Sequence, residues 1–258
     1  PVEKALQMAT IQPARCYGLY QLGMIAPGRQ ADFVILDNVT DLNVVDVYHC
    51  GKRVIRDEKV EVKPCPPHLK NTVHVSGFSE ERLKLKHPGG KAHVIQMLEK
   101  QIVTSDVVEE VPWKVLDGEK YFVPDGEYQK IAVIERHKNT GKMGVGIVKG
   151  YGIRGGAIAS SVSHDSHNII VVGDNDRDMA LAVKEMMRTQ GGYTLVRDGE
   201  IYGTLPLPVM GLMSDAGYES VNEALAKMIP KAYEMGVKDG FDPFITLSFM
   251  ALPVIPEI

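Results

Sequence analysis

The nine residues Ser160-Ser-Val-Ser-His-Asp-Ser-His-Asn168 bring hydroxyls, two imidazoles, a carboxylate and an amide together just before the apolar run Ile169-Ile-Val-Val-Gly173. Imidazole exchanges protons near neutral pH, and a carboxylate beside it can orient or polarise it. Such a loop at a strand end can donate to or accept from a polar substrate or an activated water. His164, Asp165 and His167 are therefore the candidate catalytic groups, with Ser163 and Asn168 as candidate substrate contacts. A second reading stays open: a hydrogen-bonded turn in which Ser and Asp side chains satisfy backbone groups. As a metal site the cluster is poor, because His-x-x-His on a loop offers at most about three ligands and no fourth is evident.

A second polar group, Glu135-Arg136-His137-Lys138, closes the strand-like run Lys130–Ile134. Glu135 and His137 are candidate substrate contacts, and Arg136 belongs to the same group. The alternative is an ordinary solvent-facing strand end. The glycines Gly144, Gly146, Gly150, Gly152, Gly155 and Gly156 match neither dinucleotide nor P-loop spacing and read as turns and close backbone approaches. Met179, Met186, Met187 and Met228 read as core filler, and Trp113 as packing.

These groups must be held by regular elements. Val2, Ala5, Leu6 and Ala9 share a helical face in a helix that would begin before residue 1, and Pro13 reads as its breaker. Turn chemistry in Gly23–Arg29 leads into a strand at Phe33–Leu36. Val44–Tyr48 and Lys52–Ile55, split by Cys50-Gly51, form a hairpin. Lys63-Pro-Cys-Pro-Pro67 reads as an extended linker. Beyond it lie strand candidates at His93–Leu98, Gln101–Thr104, Lys120–Val123 and Lys130–Glu135, the last half-buried. Ile169–Gly173 is an apolar strand, and Asp174-Asn175-Asp176 caps a helix running to Gly191. Arg197-Asp198-Gly199 turns a hairpin between Tyr193–Val196 and Glu200–Leu205. Ser220 with Glu223 makes a capping box for a helix running toward Gly236, kinked near Pro230.

The expected fold class is α+β, mixed α/β. Residues 1–62 form a last helix and a partial β-sandwich, 63–72 a Pro-rich linker, and 73–258 a β-rich α+β domain. At 258 residues, 44% hydrophobic and 24% charged, the chain has the composition of a soluble globular protein. A net charge of −4 with no basic stripe argues against nucleic-acid binding. No apolar run nears the roughly 20 residues that cross a bilayer. No signal-peptide pattern opens the chain, so a cytoplasmic location and a fragment beginning without Met are expected. Cys16, Cys50 and Cys65 suit reduced structural thiols better than a disulfide framework.

Ala9-Thr-Ile-Gln-Pro-Ala-Arg-Cys-Tyr-Gly-Leu19, Leu22–Gly28 and Ala31-Asp-Phe-Val-Ile-Leu-Asp37 resemble the stretch that closes the barrel of amidohydrolase-superfamily enzymes and completes their small β-sandwich. Ile131–His137, Gly155–Gly173, Leu205–Asp215 and Asp242–Pro256 look like the C-terminal domain of bacterial and archaeal adenine deaminases. That resemblance implies hydrolysis of adenine to hypoxanthine and ammonia in purine salvage, with a two-metal Mn or Fe centre in a (β/α)₈ barrel. None of the eight histidines forms His-x-His, so the metal-binding barrel is absent and no metal ligand is carried over. No cofactor is expected in this fragment itself, which would be inactive alone. Its domain would cover the barrel mouth and present the 164–168 loop to the purine. Open strand edges in residues 1–60 imply self-association as a homo-oligomer. Two other readings compete: a non-catalytic interaction or oligomerisation module, and a fragment of another amidohydrolase.

Overall fold

A computed structural model describes residues 1–54 and 65–252. The chain divides into two compact units, Pro1–Lys63 and Pro64–Ile258.

The first unit opens with helices α1 (Val2–Ala9) and α2 (Ile11–Cys16). Pro13 does not break the helical path. It sits in the first turn of α2, where a missing N–H costs nothing because no partner exists for it. Strand β1 (Phe33–Leu36) pairs antiparallel with β2 (Val44–His49), which turns into β3 (Lys52–Val54). The turn runs through Cys50 and Gly51 at φ 50 and 74, the left-handed pair that matches strand twist in a tight hairpin. Phe33 stacks on its register partner Tyr48, centroids 4.5 Å apart. Val34, Val44, Val45 and Val54 are exposed on this small sheet. Ile55 and residues 63 and 64 of the expected linker lie outside the described residues.

The second unit is built on an eight-stranded sheet. Its strands are β4 (Lys91–Met97), β5 (Thr104–Glu110), β8 (Tyr128–Ile134), β9 (Met143–Lys149), β10 (Gly156–Ser160), β11 (Ile169–Gly173), β12 (Gly192–Arg197) and β13 (Glu200–Pro206). Their order is β13-β12-β10-β11-β8-β9-β4-β5, antiparallel except for β4 beside β9. Strands β6 (Trp113–Leu116) and β7 (Glu119–Phe122) form a separate hairpin. Helix α3 (Asp176–Thr189) lies between β11 and β12, and α4 (Tyr218–Glu234) and α5 (Ile245–Phe249) follow β13. Among the described residues no sheet closes into a barrel, and no helix is long and apolar enough to cross a membrane.

Side chains alternate across the sheet with the period of two that a strand imposes. Ile158, Ile170, Val172 and Leu195 face one way and pack with Met228 and Ala232 of α4 and with Phe244 and Leu247 around α5. Ala157, Ala159, Ile169, Val171 and Val196 face the other way and pack on Met179, Ala182, Val183 and Met186 of α3. Each fully buried Ile, Val or Met side chain is worth about 1.5–3 kcal/mol. The centre of the sheet is thus the rigid base from which the polar loops hang.

Several sequence expectations shift. Gln101–Thr104 is not a strand; β5 starts at Thr104 and runs to Glu110. The glycine-rich stretch hides β9, where Gly146 pairs with Ile131 and a Cβ would meet that side chain at 3.4 Å. Strand β8 is not half-buried but buried at six of its seven positions, with Lys130 paired to Asp176. Helix α4 begins at Tyr218 after Gly217 with no side-chain cap, so Ser220 is inside it, and Pro230 lies within the helix.

Candidate functional site

Two adjacent central strands create the site. Strand β10 ends at Ser160, β11 begins at Ile169, and the loop between them carries every group of the Ser-His-Asp-Ser-His-Asn motif. Ile169 pairs with Ile134, the last residue of β8. The Glu135–Lys138 segment therefore leaves the sheet beside the same loop, so residues about thirty positions apart in sequence meet.

The loop is tied at both ends. Ser161 Oγ donates to the Gly211 carbonyl at 2.6 Å and accepts from the Gly192 N–H at 2.7 Å. The His164 N–H donates to the Ser248 carbonyl at 2.8 Å, and its ring stacks on Phe249 with centroids 4.9 Å apart. His167, at φ 51, donates its N–H to the Ser163 carbonyl at 2.5 Å, and its ring meets that of His164 edge-on at 5.8 Å. Asp165 and Ser166 are exposed.

Arg136 organises the floor. It is 1% exposed, and its guanidinium donates to three backbone carbonyls: His167 from Nε at 2.5 Å, Met210 at 3.1 Å and Thr72 at 3.5 Å. Among the described residues no carboxylate pairs with it. Burial alone pulls its pKa down to about 10, so the group stays a cation at neutral pH. Gly211 leaves room for it: a Cβ there would stand 2.7 Å from a guanidinium nitrogen, and the φ of +70 disfavours a side chain in any case.

Glu135 has a different task. Its carboxylate accepts from the N–H groups of His137, Lys138 and Thr140 and from the Thr140 hydroxyl, at 2.5 to 3.0 Å. The backbone donors of Thr140 and Lys138 lead in holding its pKa down to about 2. Its oxygens are engaged by its own loop. His137 is exposed, and its Nε2 lies 2.8 Å from the Ser166 carbonyl. A carbonyl only accepts, so Nε2 carries the proton.

Buried polar atoms without a partner collect here. Among the described residues they are Thr72 Oγ1, Ser163 Oγ, His167 Nδ1, Asn168 Oδ1, Thr104 Oγ1 and Thr194 Oγ1, and the first four belong to this loop and the Arg136 floor. Buried groups are normally satisfied, so such a concentration marks a place prepared for something else. The His167 imidazole is driven toward its neutral form, first by burial and then by the nearby His164, Arg136 and His137, against the opposing charge of Asp165. Neutral imidazole with a free buried nitrogen, a free hydroxyl and a free amide oxygen can exchange a proton with, and hydrogen-bond, a polar planar ligand.

The structure thus brings His164, Asp165, His167, Ser163, Asn168 and His137 into one neighbourhood, and turns Glu135 inward to its loop. The burial of Arg136 has no local sequence signal, because an Arg among the strand-end charges Glu135 and Lys138 looks solvated. Thr72 and Phe249 gave no signal, since neither lies near the motif in the chain.

A two-metal centre does not fit these residues. The one cluster of three metal-ligating side chains among the described residues is Asp32, His49 and Cys50, all exposed. Asp32 there accepts the Cys50 N–H at 2.6 Å and lies 3.1 Å from His49 Nδ1, which accounts for it as a turn brace.

The chain matches the adenine deaminase C-terminal domain over residues 101–258 and the amidohydrolase family over residues 1–63. An adenine deaminase of Desulfitobacterium hafniense (strain Y51) is 51% identical over 258 residues, covering 100% of this chain and 45% of its own length. An adenine deaminase of Nitratidesulfovibrio vulgaris (strain DP4) is 44% identical, covering 98% of this chain and 44% of its own length. Adenine deaminase 2 of Carboxydothermus hydrogenoformans is 41% identical, with 98% and 45% covered. The chain spans a little under half the length of these curated relatives.

Proposed function

Because the chain belongs to the adenine deaminase C-terminal domain family, we propose that it is the C-terminal portion of an enzyme that hydrolyses adenine to hypoxanthine and ammonia. Water adds at C6 of the purine, the C6–N bond breaks, and the departing nitrogen must gain a proton to leave as ammonia. Similarity to the amidohydrolase family suggests a metal centre. We assign that centre, as Mn or Fe, to the part of the enzyme outside this chain, and no step of it to residues here.

In this reading, residues 1–62 contribute a last helix and sandwich strands, 63–72 link, and 73–258 cover the site with the Ser163–Asn168 loop turned toward the purine. His164, Asp165 and His167 handle the proton. Ser163 Oγ, Asn168 Oδ1 and His137 hydrogen-bond to the purine edge, and Glu135 shapes the loop that presents His137. The reaction belongs to purine salvage in the cytoplasm, and the exposed strands of the first unit suit self-association into a homo-oligomer.

The observation that supports this most is the set of four orphaned buried polar atoms on the loop and its floor. The test is product analysis on two samples. The 258-residue chain incubated with adenine and Mn²⁺ should release no ammonia, whereas the complete enzyme carrying it should release one ammonia per adenine. Ammonia from the shorter chain, or none from the complete enzyme, contradicts the proposal.

A further inference from the structure

A fully buried arginine that pairs with no carboxylate among the described residues needs a reason, because burial of a cation is costly unless its surroundings repay it. The repayment at Arg136 is unusual in its source. The three carbonyls that receive its N–H groups come from residues 72, 167 and 210, three segments far apart in sequence. The Arg136 carbonyl in turn accepts the His74 N–H at 2.7 Å, and Met210 donates to the Leu69 carbonyl at 2.7 Å. Only the planar guanidinium fork offers donors in enough directions to hold all three; a lysine ammonium is a point charge on a flexible stem. The same group sits against Gly211, whose carbonyl anchors the loop through Ser161.

We propose that Arg136 is a positioning residue for the 163–168 loop: its guanidinium holds the His167 backbone in the left-handed turn that aims the imidazole, Ser163 Oγ and Asn168 Oδ1 into the site. It touches no substrate and acts through His167. The inference rests on the reading of this loop as part of an active site. A second consequence follows from charge. The groups facing His167 are His164 and Asp165 from its own loop and Arg136 and His137 from the end of β8. Burial and then His164 lower the His167 pKa most, and the Arg136 cation acts in the same direction.

The experiment compares Arg136→Met, Arg136→Lys, His167→Ala and His164→Ala in the complete enzyme, with activity normalised to folded, metal-loaded protein. Arg136→Met should lower kcat about tenfold or more and raise KM as well, since the clamp aims both the proton-handling ring and the Ser163 and Asn168 contacts to the purine. In ring-labelled Arg136→Met the His167 titration midpoint should move up. Arg136→Lys, which keeps the charge and loses the fork, should leave that midpoint near the parent value while kcat stays depressed. A merely structural arginine would alter the folded fraction and neither the midpoint nor kcat per folded enzyme. If Arg136→Met does not fold, Arg136→Lys carries the test, and parental kcat in that variant overturns the inference. A silent His167→Ala overturns this inference, and a silent His164→Ala beside it overturns the active-site reading as well. A large loss in His167→Ala beside unchanged kinetics in folded Arg136→Met overturns this inference alone.

Discussion

The Arg136 guanidinium reaches across from the end of β8 and donates from Nε to the His167 carbonyl at 2.5 Å, so the one fully buried arginine among the described residues is bonded to the backbone of a candidate catalytic residue. The bond explains why a loop of small polar residues takes one shape. It also links the two polar motifs that the sequence shows separately.

Gly211 should be intolerant of a side chain. Gly211→Ala places a methyl within 2.7 Å of the guanidinium and demands φ near +70, so it should cost about 1–3 kcal/mol. Urea unfolding of the variant measures this, and a cost below about 0.5 kcal/mol would mean the guanidinium is free to move.

Ser161→Ala removes one hydroxyl that serves two buried backbone groups, the Gly192 N–H and the Gly211 carbonyl. Both would be left unpaired, with an expected loss of about 2–4 kcal/mol. Ser161→Cys, a poorer donor and acceptor, should fall between. Equal stability for all three would show that water replaces the hydroxyl at no cost.

Glu135 governs acid behaviour. Its folded pKa is depressed to about 2, so it stabilises the fold above the ordinary carboxylate range, and this contribution disappears as pH falls toward 2. Glu135→Gln should be less stable at pH 7 and should show a flatter decline between about pH 5 and 3. Parallel curves for the two proteins would place the loop's hydrogen bonds elsewhere.

His167 gives a signal of the same sign in a higher pH window. Burial lowers its folded pKa, so the unfolded chain takes up the proton first as pH drops, and stability falls below the ordinary histidine range. His167→Gln should lessen the slope of stability against pH between about pH 7 and 5. An unchanged slope would mean that the ring is no harder to protonate folded than unfolded.

Much of this was legible in the residues. Ile169–Gly173 is apolar at every position, and α3 repeats Met179, Val183 and Met186 on one face, so strand, helix and the loop between them follow from period and capping. The Ser163–Asn168 motif announced itself by polarity beside a core strand. Strand β9 did not, because Gly144 and Gly146 carry no side chain to betray a strand, and the role of Gly146 emerges only against Ile131. Arg136 was legible as a charge and not as a clamp. Its burial depends on Thr72 and Met210, which no local pattern connects to it.

The central claim is that the 163–168 loop belongs to the site where adenine reacts. The most direct measurement is kcat/KM for adenine in the complete enzyme with His167→Ala and His164→Ala, each checked for native folding and metal content. A drop of about tenfold or more in either variant is predicted, the usual size of a lost acid–base or hydrogen-bonding contribution. Parental kcat/KM in both, with folding intact, would contradict it.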